Sequence, residues 1–311
     1  MSRQDIRQEI TDMVIDALEK GGLKEWTRPW SKLAGAVGGG IPWNYATGNQ
    51  YQGINTFALM MACIRHGFTS TGFLTYRQAQ ALGGNVRKGE TGFRVIAYSP
   101  RDITTKDEQG NEETQAVLFS RSFTVFNTDQ CDNLKGIAEI QPSPLLDEDG
   151  KLAKIDAIRQ RLCDETGLSY YRSGNRALYS PSCDSLYMPA GEWNRTEDFI
   201  ATLAHELVHS TGAKHRLDRH SKIETTYKEK TGQERYAFEE LVAELGAAMI
   251  GAELGITGDM QHESYIASWL QALKNDKSYI FKAASMASHA HRYLMGEAVT
   301  AEAAEEESKA A

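Results

Sequence analysis

Ile6, Ile10, Val14 and Leu18 recur at four-residue intervals, so the spacing predicts an amphipathic helix over residues 3–20, stopped by Gly21-Gly22. A stretch that reads mostly as loop follows. Gly53-Ile54-Asn55 then leads into a helix through Leu59, Met60 and Ile64, and a short helix from Thr75 to Leu82 ends at Gly83-Gly84. A strand from Phe93 to Tyr98, a polar run from Asp102 to Gln115 with Gly110-Asn111, and a strand from Ala116 to Phe126 read as a long hairpin. After Pro142 and Pro144, Leu152, Ile155, Ile158 and Leu162 predict a helix over about 151–166. Strands near 168–172 and 177–188 turn at Gly174-Asn175, and residues 184–188 are expected at a sheet edge able to pair with extended substrate. The next helix has Thr196 as its expected N-cap, Glu197 and Asp198 in its first turn and Gly212 at its end. Further helices are expected from Tyr236 and over about 261–275 and 278–296. These elements predict an α+β fold. A small α+β domain (1–135) and a linker (136–150) precede a mostly helical domain with a small antiparallel sheet (151–296), and an acidic tail (297–311) is expected to be disordered.

Composition adds a compartment. With 41% apolar residues in 311, the chain can bury real cores, yet no apolar run approaches the ~20 residues of a membrane span. The start Met-Ser-Arg-Gln-Asp carries no apolar signal region, and Cys63, Cys131, Cys163 and Cys183 are scattered, reading as reduced thiols. A cytoplasmic protein without a membrane partner is expected.

Charge divides the chain further. Residues 1–135 hold 15 Lys/Arg against 14 Asp/Glu, whereas residues 136–311 hold 19 against 28. Within residues 20–101, ten basic side chains face only Glu25 and Glu90. Such asymmetry points to an anionic partner of the first domain. Three tryptophans lie in that stretch, and basic groups interleaved with aromatics suit single-stranded DNA, whose unpaired bases stack on rings. Trp26, Trp30, Trp43, Tyr45 and Tyr51 are the candidate stacking residues; Arg28, Lys32, Arg77, Arg87 and Lys88 are the candidate phosphate contacts. Core packing is the competing role for each tryptophan. A DNA mimic acting through acidic surface alone is disfavoured, because this stretch is basic.

The densest chemistry lies at His205-Glu206-Leu207-Val208-His209. Histidines four residues apart share one helix face at metal-sharing distance, and the adjacent Glu206 can serve as general base toward a water at the open metal position. The third ligand has two readings. His215 extends the motif to a metzincin spacing. Alternatively Glu240, with Glu244 four residues on, lies on a second helix; Glu240 is favoured as ligand, with Glu244 holding a ligand histidine by its far ring nitrogen, an arrangement that resembles the gluzincins. Tyr236 or His215 is the candidate oxyanion donor. Zinc is the expected metal, or another divalent ion such as Mn2+.

Two sets of motifs carry a family resemblance. Trp26-x-Arg28-Pro29-Trp30, Pro42-x-Asn44, Tyr51-x-Gly53-Ile54-Asn55, Tyr76-x-x-Ala79, Leu82-Gly83-Gly84-x-Val86-Arg87-Lys88-Gly89-Glu90 and Phe126-Asn127 resemble the N-terminal domain of ArdC antirestriction proteins, also found in plasmid DNA primases of the TraC type. Tyr179, Asp184, the His205–Gly212 motif, Arg216-Leu217 and Glu239-Glu240-Leu241-x-Ala243-Glu244 resemble the zincin-like polyvalent metallopeptidase domain that follows it. The resemblance covers the chain to about residue 295. It implies a single-stranded-DNA-binding domain joined to a zinc metallopeptidase-like domain, carried by a conjugative plasmid and protecting incoming DNA from host restriction. It adds Asn44, Asn55 and Tyr76 to the candidate DNA contacts and disfavours His215 as ligand. A host restriction protein or another protein is the implied target. The alternative is a DNA-binding protein whose peptidase domain is catalytically silent and serves as an interaction module. Under the two-domain expectation, a fragment ending near residue 135 binds DNA alone.

Overall fold

The structure is a computed structural model describing residues 8–299 except 9, 13, 17, 20–27, 107–111, 137–138 and 257–265. Trp26, Ile6 and the tail from residue 300 lie outside the described residues, as do the side chains of residues 28–29, 98–106, 112–120 and 266. Residues 8–19 are helical wherever described (α1), and the periodic Ile10, Val14 and Leu18 are all buried. A 3-10 segment, Arg28–Gly35, follows, then β1 (Trp43–Asn44), α2 (Ile54–His66), β2 (Gly72–Thr75) and α3 (Tyr76–Ala81). Thr75 is the N-cap of α3 in a capping box with Gln78, which satisfies donors on both sides of the helix start.

Next come β3 (Asn85–Val86), β4 (Phe93–Lys106), β5 (Glu112–Asn127) and β6 (Cys131–Asp132). One sheet has the order β1-β2-β5-β4, with β1 and β2 parallel and the other pairs antiparallel; β3 and β6 form a small separate pair. The hairpin is longer than its apolar pattern predicts. Pairing runs to Lys106↔Glu112, so the described parts of the polar run, 102–106 and 112–115, are strand too. Ile103, Thr104, Thr105 and Thr114 are β-branched, a residue type that favours strand.

The second half holds α4 (Glu148–Thr166), β7 (Ser169–Arg172), β8 (Leu178–Ser180), β9 (Ser185–Met188), α5 (Thr196–Thr211), α6 (Arg219–Thr226), α7 (Gly232–Leu254), α8 (Ile266–Asn275) and α9 (Tyr279–Leu294). β9 is antiparallel to β8 and parallel to β7, which makes it the central strand. Residues 185–188 are therefore not the expected edge; β8 and β7 are. No described helix is long and apolar enough to cross a membrane.

α7 is the axis of the molecule. From Ala237 to Ala252 every residue is buried, as in a helix covered on all sides. One large core joins Ile10, Val14, Trp30, Phe57, Met60 and Phe73 from the first half to Phe238, Leu241, Leu245, Trp269 and Phe281 from the second. Another joins α4, α5 and the β9 sheet to the far side of α7. The loop before β1 meets α7 backbone to backbone. A Cβ on Gly40 would stand 1.9 Å from the carbonyl oxygen of Ala252, so only glycine fits there. The proline-containing segment after residue 138 is also tied down, since Val37 bridges to Pro142 and Ser143 donates its N–H to the carbonyl of Ala36. The expected boundary at 136–150 is thus crossed by a shared core.

Candidate metal centre and nucleic-acid face

α5 begins at Thr196 itself, one residue earlier than a Thr196 N-cap requires; Arg195 takes the cap position and makes no side-chain cap bond. Gly212 closes the helix as expected. α5 packs on α7 at Gly246, where a Cβ would lie 2.9 Å from the Val208 methyls. That close approach brings the histidine face of α5 against the glutamate face of α7.

His205, His209 and Glu240 each offer a ligand atom, and the three atoms lie within 4.8 Å of one another. The two Nε2 atoms are 3.0 Å apart. The Glu240 carboxylate stands 3.5 Å from His205 Nε2 and 3.4 Å from His209 Nε2. Bonds of about 2.0–2.1 Å to a tetrahedral zinc ion space its ligand atoms about 3.3 Å apart, so this donor set has the right size. Its chemistry fits equally well: two imidazoles and a carboxylate, all buried or nearly so, converge where only a cation or shared protons can balance them.

The surrounding groups hold these ligands. His205 Nδ1 faces Glu244 Oε1 at 3.7 Å, and neither oxygen of that fully buried carboxylate has a hydrogen-bond partner. Burial first, then the charge of Glu240, pushes Glu244 up to about 8. His209 Nδ1 donates to Glu239 Oε1 at 3.1 Å. Burial works against the charged imidazole of His209, yet Glu239 and Glu240 outweigh it and push the ring up to about 10. Burial likewise opposes ionisation of Glu240, but the two imidazoles hold it well below the usual carboxylate range.

Glu239, which the sequence singles out only as part of the family motif, also belongs to the centre. It is buried, it takes two hydrogen bonds from the Arg219 guanidinium (2.7 and 2.8 Å), and His220 Nε2 stands 3.3 Å from it. Arg219 overcomes the cost of burial and keeps Glu239 ionised. The available signal was that a ligand histidine needs an acceptor on its second nitrogen, which Glu244 could supply for only one of the two rings.

His215 lies outside the cluster. Its exposed ring faces Asp184 at 3.3 Å. Asp184 in turn accepts from Arg216 and from the Tyr179 hydroxyl, fastening the chain after α5 to the turn between β8 and β9. Glu206 is buried beside His205. Tyr236 is 53% exposed on the first turns of α7, one turn before Glu240 and on the same side.

The DNA candidates separate by exposure. Trp30 is 1% exposed, its ring 5.3 Å from that of Phe57, so it is core and offers no face to a base. Asn55 exchanges two hydrogen bonds with the backbone of Ile96, pinning α2 to β4. Asn44 folds its own turn by accepting from the N–H groups of Ala46 and Thr47. Tyr51 packs edge-on to Phe73 and is half-buried. Trp43 is half-buried against Tyr45. Arg87 is exposed but shared among Glu90, Asp132 and the carbonyl of Asp129. Tyr76 (48% exposed), Arg77, Lys88 and Lys32 remain at the surface, and α3, which carries Tyr76 and Arg77, packs beside β3.

Residues 157–286 match the family described as zincin-like metallopeptidase, and residues 4–126 match the N-terminal domain of anti-restriction factor ArdC. The chain is 35% identical over 290 residues to the uncharacterized protein y4eC of Sinorhizobium fredii, covering 91% of this chain and 89% of that protein. It is 32% identical over 308 residues to the DNA primase TraC of Escherichia coli, covering 94% of this chain and 20% of the primase. Its fold is similar to the metal-free crystal structure of the antirestriction ArdC protein from plasmid R388, with TM-score 0.72 and 35% identity over 98% of each chain. The Mn(II)-bound structure of that protein gives TM-score 0.68 and 34% identity over the same share.

Proposed function

The chain belongs to the ArdC antirestriction family, and from that premise we propose that it binds single-stranded DNA, protecting incoming conjugative DNA from host restriction, and holds a divalent metal for peptide hydrolysis. The observation that supports the metal most is the convergence of His205, His209 and Glu240 within 4.8 Å. Zinc is proposed from the donor types, and a relative crystallised with Mn(II) supports a divalent ion in general. Such an ion supplies a Lewis acid and lowers the pKa of water to ~7.

The remaining work falls to side chains. Glu206, buried beside the ligands, takes the proton of the attacking water and returns it to the leaving amine. Tyr236, half exposed at the mouth, donates its O–H to the developing oxyanion. Glu239 and Glu244 orient the two imidazoles. The substrate class is a peptide, and a host restriction protein is the proposed target. Glu206→Gln is expected to abolish cleavage of a peptide library while metal content by mass spectrometry stays at the wild-type level. Loss of metal in that variant shows Glu206 to be a ligand instead. A wild-type protein that holds metal but cleaves nothing establishes the silent interaction module.

For DNA, the proposed contacts are Tyr76, Arg77 and Lys88, with Trp43 and Tyr45 beside them. Tyr76→Ala is expected to weaken binding of an oligonucleotide to the full chain by about 1–3 kcal/mol, the contribution of one stacked base. Lys88→Ala should flatten the dependence of log affinity on log salt by about 0.7, one released counterion on a single strand. Anisotropy titrations at several salt concentrations measure both. Unchanged affinity and slope in both variants remove this surface from the DNA path.

A further inference from the structure

The β4–β5 hairpin runs well past the core that roots it. β2 pairs with β5 only over Val125–Asn127, yet the hairpin register continues to Lys106↔Glu112. Where the hairpin leaves the body, Ala97, Arg121, Ser122, Phe123 and Thr124 are all exposed. Beyond that point it is a two-stranded ribbon, and among the described residues no third strand pairs with it. Such ribbons are marginal in water, and each edge leaves a row of unpaired backbone groups.

The two edges are not equivalent. Asn55 exchanges hydrogen bonds with both the N–H and the carbonyl of Ile96, so these groups point away from β5. The register has no bulge, and backbone direction alternates from residue to residue. Even-numbered residues of both strands therefore aim their N–H and C=O groups outward, at the free edges. On β4 the outward series contains Pro100, which has no N–H, and the charged Asp102 and Lys106, so that edge is blunted. On β5 it is Thr114, Ala116, Leu118, Ser120 and Ser122, with neither proline nor charge. The open edge is that of β5.

Parity and charge select what fits it. In an antiparallel pair the outward residues of one strand must meet the outward residues of the other. For β5 against a second β5, only alignments that set even positions across from even positions qualify. One of these, centred on Val117, sets Glu113 across from Arg121 at both ends and Ala116 across from Leu118. Moving the centre to Ala116 or Leu118 takes Arg121 away from any acid. Residues 112–122 are thus self-complementary in register and charge, as a two-fold interface requires.

We propose that the β5 edge joins that of a second copy of this chain, making a four-stranded antiparallel sheet, β4-β5-β5-β4, about a two-fold axis at Val117. The bodies of the two copies then lie at opposite ends of that sheet. The interface depends on neither DNA nor metal.

Light scattering of the full chain on a sizing column is expected to show a dimer that dissociates on dilution. Leu118→Pro removes an outward N–H and none that bonds to β4, so it should yield monomer. Arg121→Glu sets acid against acid at both ends and should weaken the dimer about tenfold, and adding Glu113→Arg should restore it. Oxidation reads the register. Val117→Cys lies about 4.5 Å from its own counterpart across the axis, within disulfide reach, and should give a covalent dimer on a non-reducing gel. Gln115→Cys, displaced four residues or about 14 Å from its counterpart, should not. The wild-type chain controls for its native free thiols. If Leu118→Pro loses its fold by circular dichroism, the charge swap and the cysteine variants decide. A chain that stays monomeric at every concentration overturns the proposal. So does a dimer that Arg121→Glu leaves intact, or one that Gln115→Cys links as readily as Val117→Cys, because its interface then lies elsewhere.

Discussion

Protein carrying Glu240→Ala, loaded with Zn2+ or Mn2+ and desalted, is expected to retain almost no metal, whereas His215→Ala retains the wild-type amount. The two residues are alternatives in the sequence but not in the structure. Glu240 presents its carboxylate 3.4–3.5 Å from both imidazole nitrogens, while His215 is turned outward onto Asp184. Losing a group that merely supports a ligand costs about 10- to 100-fold in metal affinity, so losing a ligand outright should cost at least that much. Glu239→Gln should fall between, because it weakens the hold on His209 without removing a donor. Metal analysis of the three variants beside wild type decides the order. Full metal in Glu240→Ala and depletion in His215→Ala would return the centre to the metzincin arrangement.

A fragment ending at residue 135 is expected not to fold cooperatively. The charge asymmetry along the chain suggests a separable DNA-binding domain, but about half of the larger core comes from α7, α8 and α9. Cutting there exposes Trp30, Phe57 and Phe73 and removes Phe238, Trp269 and Phe281 opposite them. Truncating even one buried Phe or Trp to alanine costs about 3–5 kcal/mol. A whole domain is stable by only about 5–15 kcal/mol, so losing several such partners exceeds the total. Circular dichroism should show a broad, low-amplitude melt for the fragment and a sharp one for the full chain. A sharp melt from the fragment, with oligonucleotide binding intact, would restore the separable domain.

How far the residues alone reach depends on whether a contact is local. His205 and His209 could be placed because four residues make one helical turn, and Glu240 and Glu244 follow from the same period on α7. Arg219 and His220 could not, since they meet Glu239 across some twenty residues of intervening chain that no spacing rule connects. The aromatics show a different limit. Trp30 and Tyr76 both sit among basic residues, yet one is core and the other surface, and composition carries no information on which way a ring turns. Asn44 and Asn55 belong to the motifs that resemble the family, but their amides hold backbone in place, so a motif residue here can serve the fold and not the ligand. The small sheet was legible as strands, whereas its order was not, because β9 pairs with a non-neighbour in sequence, β7.

The shared core also sets a clock. Thr11 on α1 donates to the carbonyl of Lys277, 266 residues later, and Glu19 pairs with Lys274. At synthesis rates of about 5–20 residues per second, α1 leaves the ribosome roughly 13–53 s before the residues it packs against exist. Through that interval α1 lacks the partners that α7, α8 and α9 bring to its core, and the cavity lined by loop 48–55 and α9 has only one wall. A nascent chain stalled short of α9 therefore carries the basic surface without its core. Truncated translation products should be cleared by proteolysis before they can act as partial DNA binders.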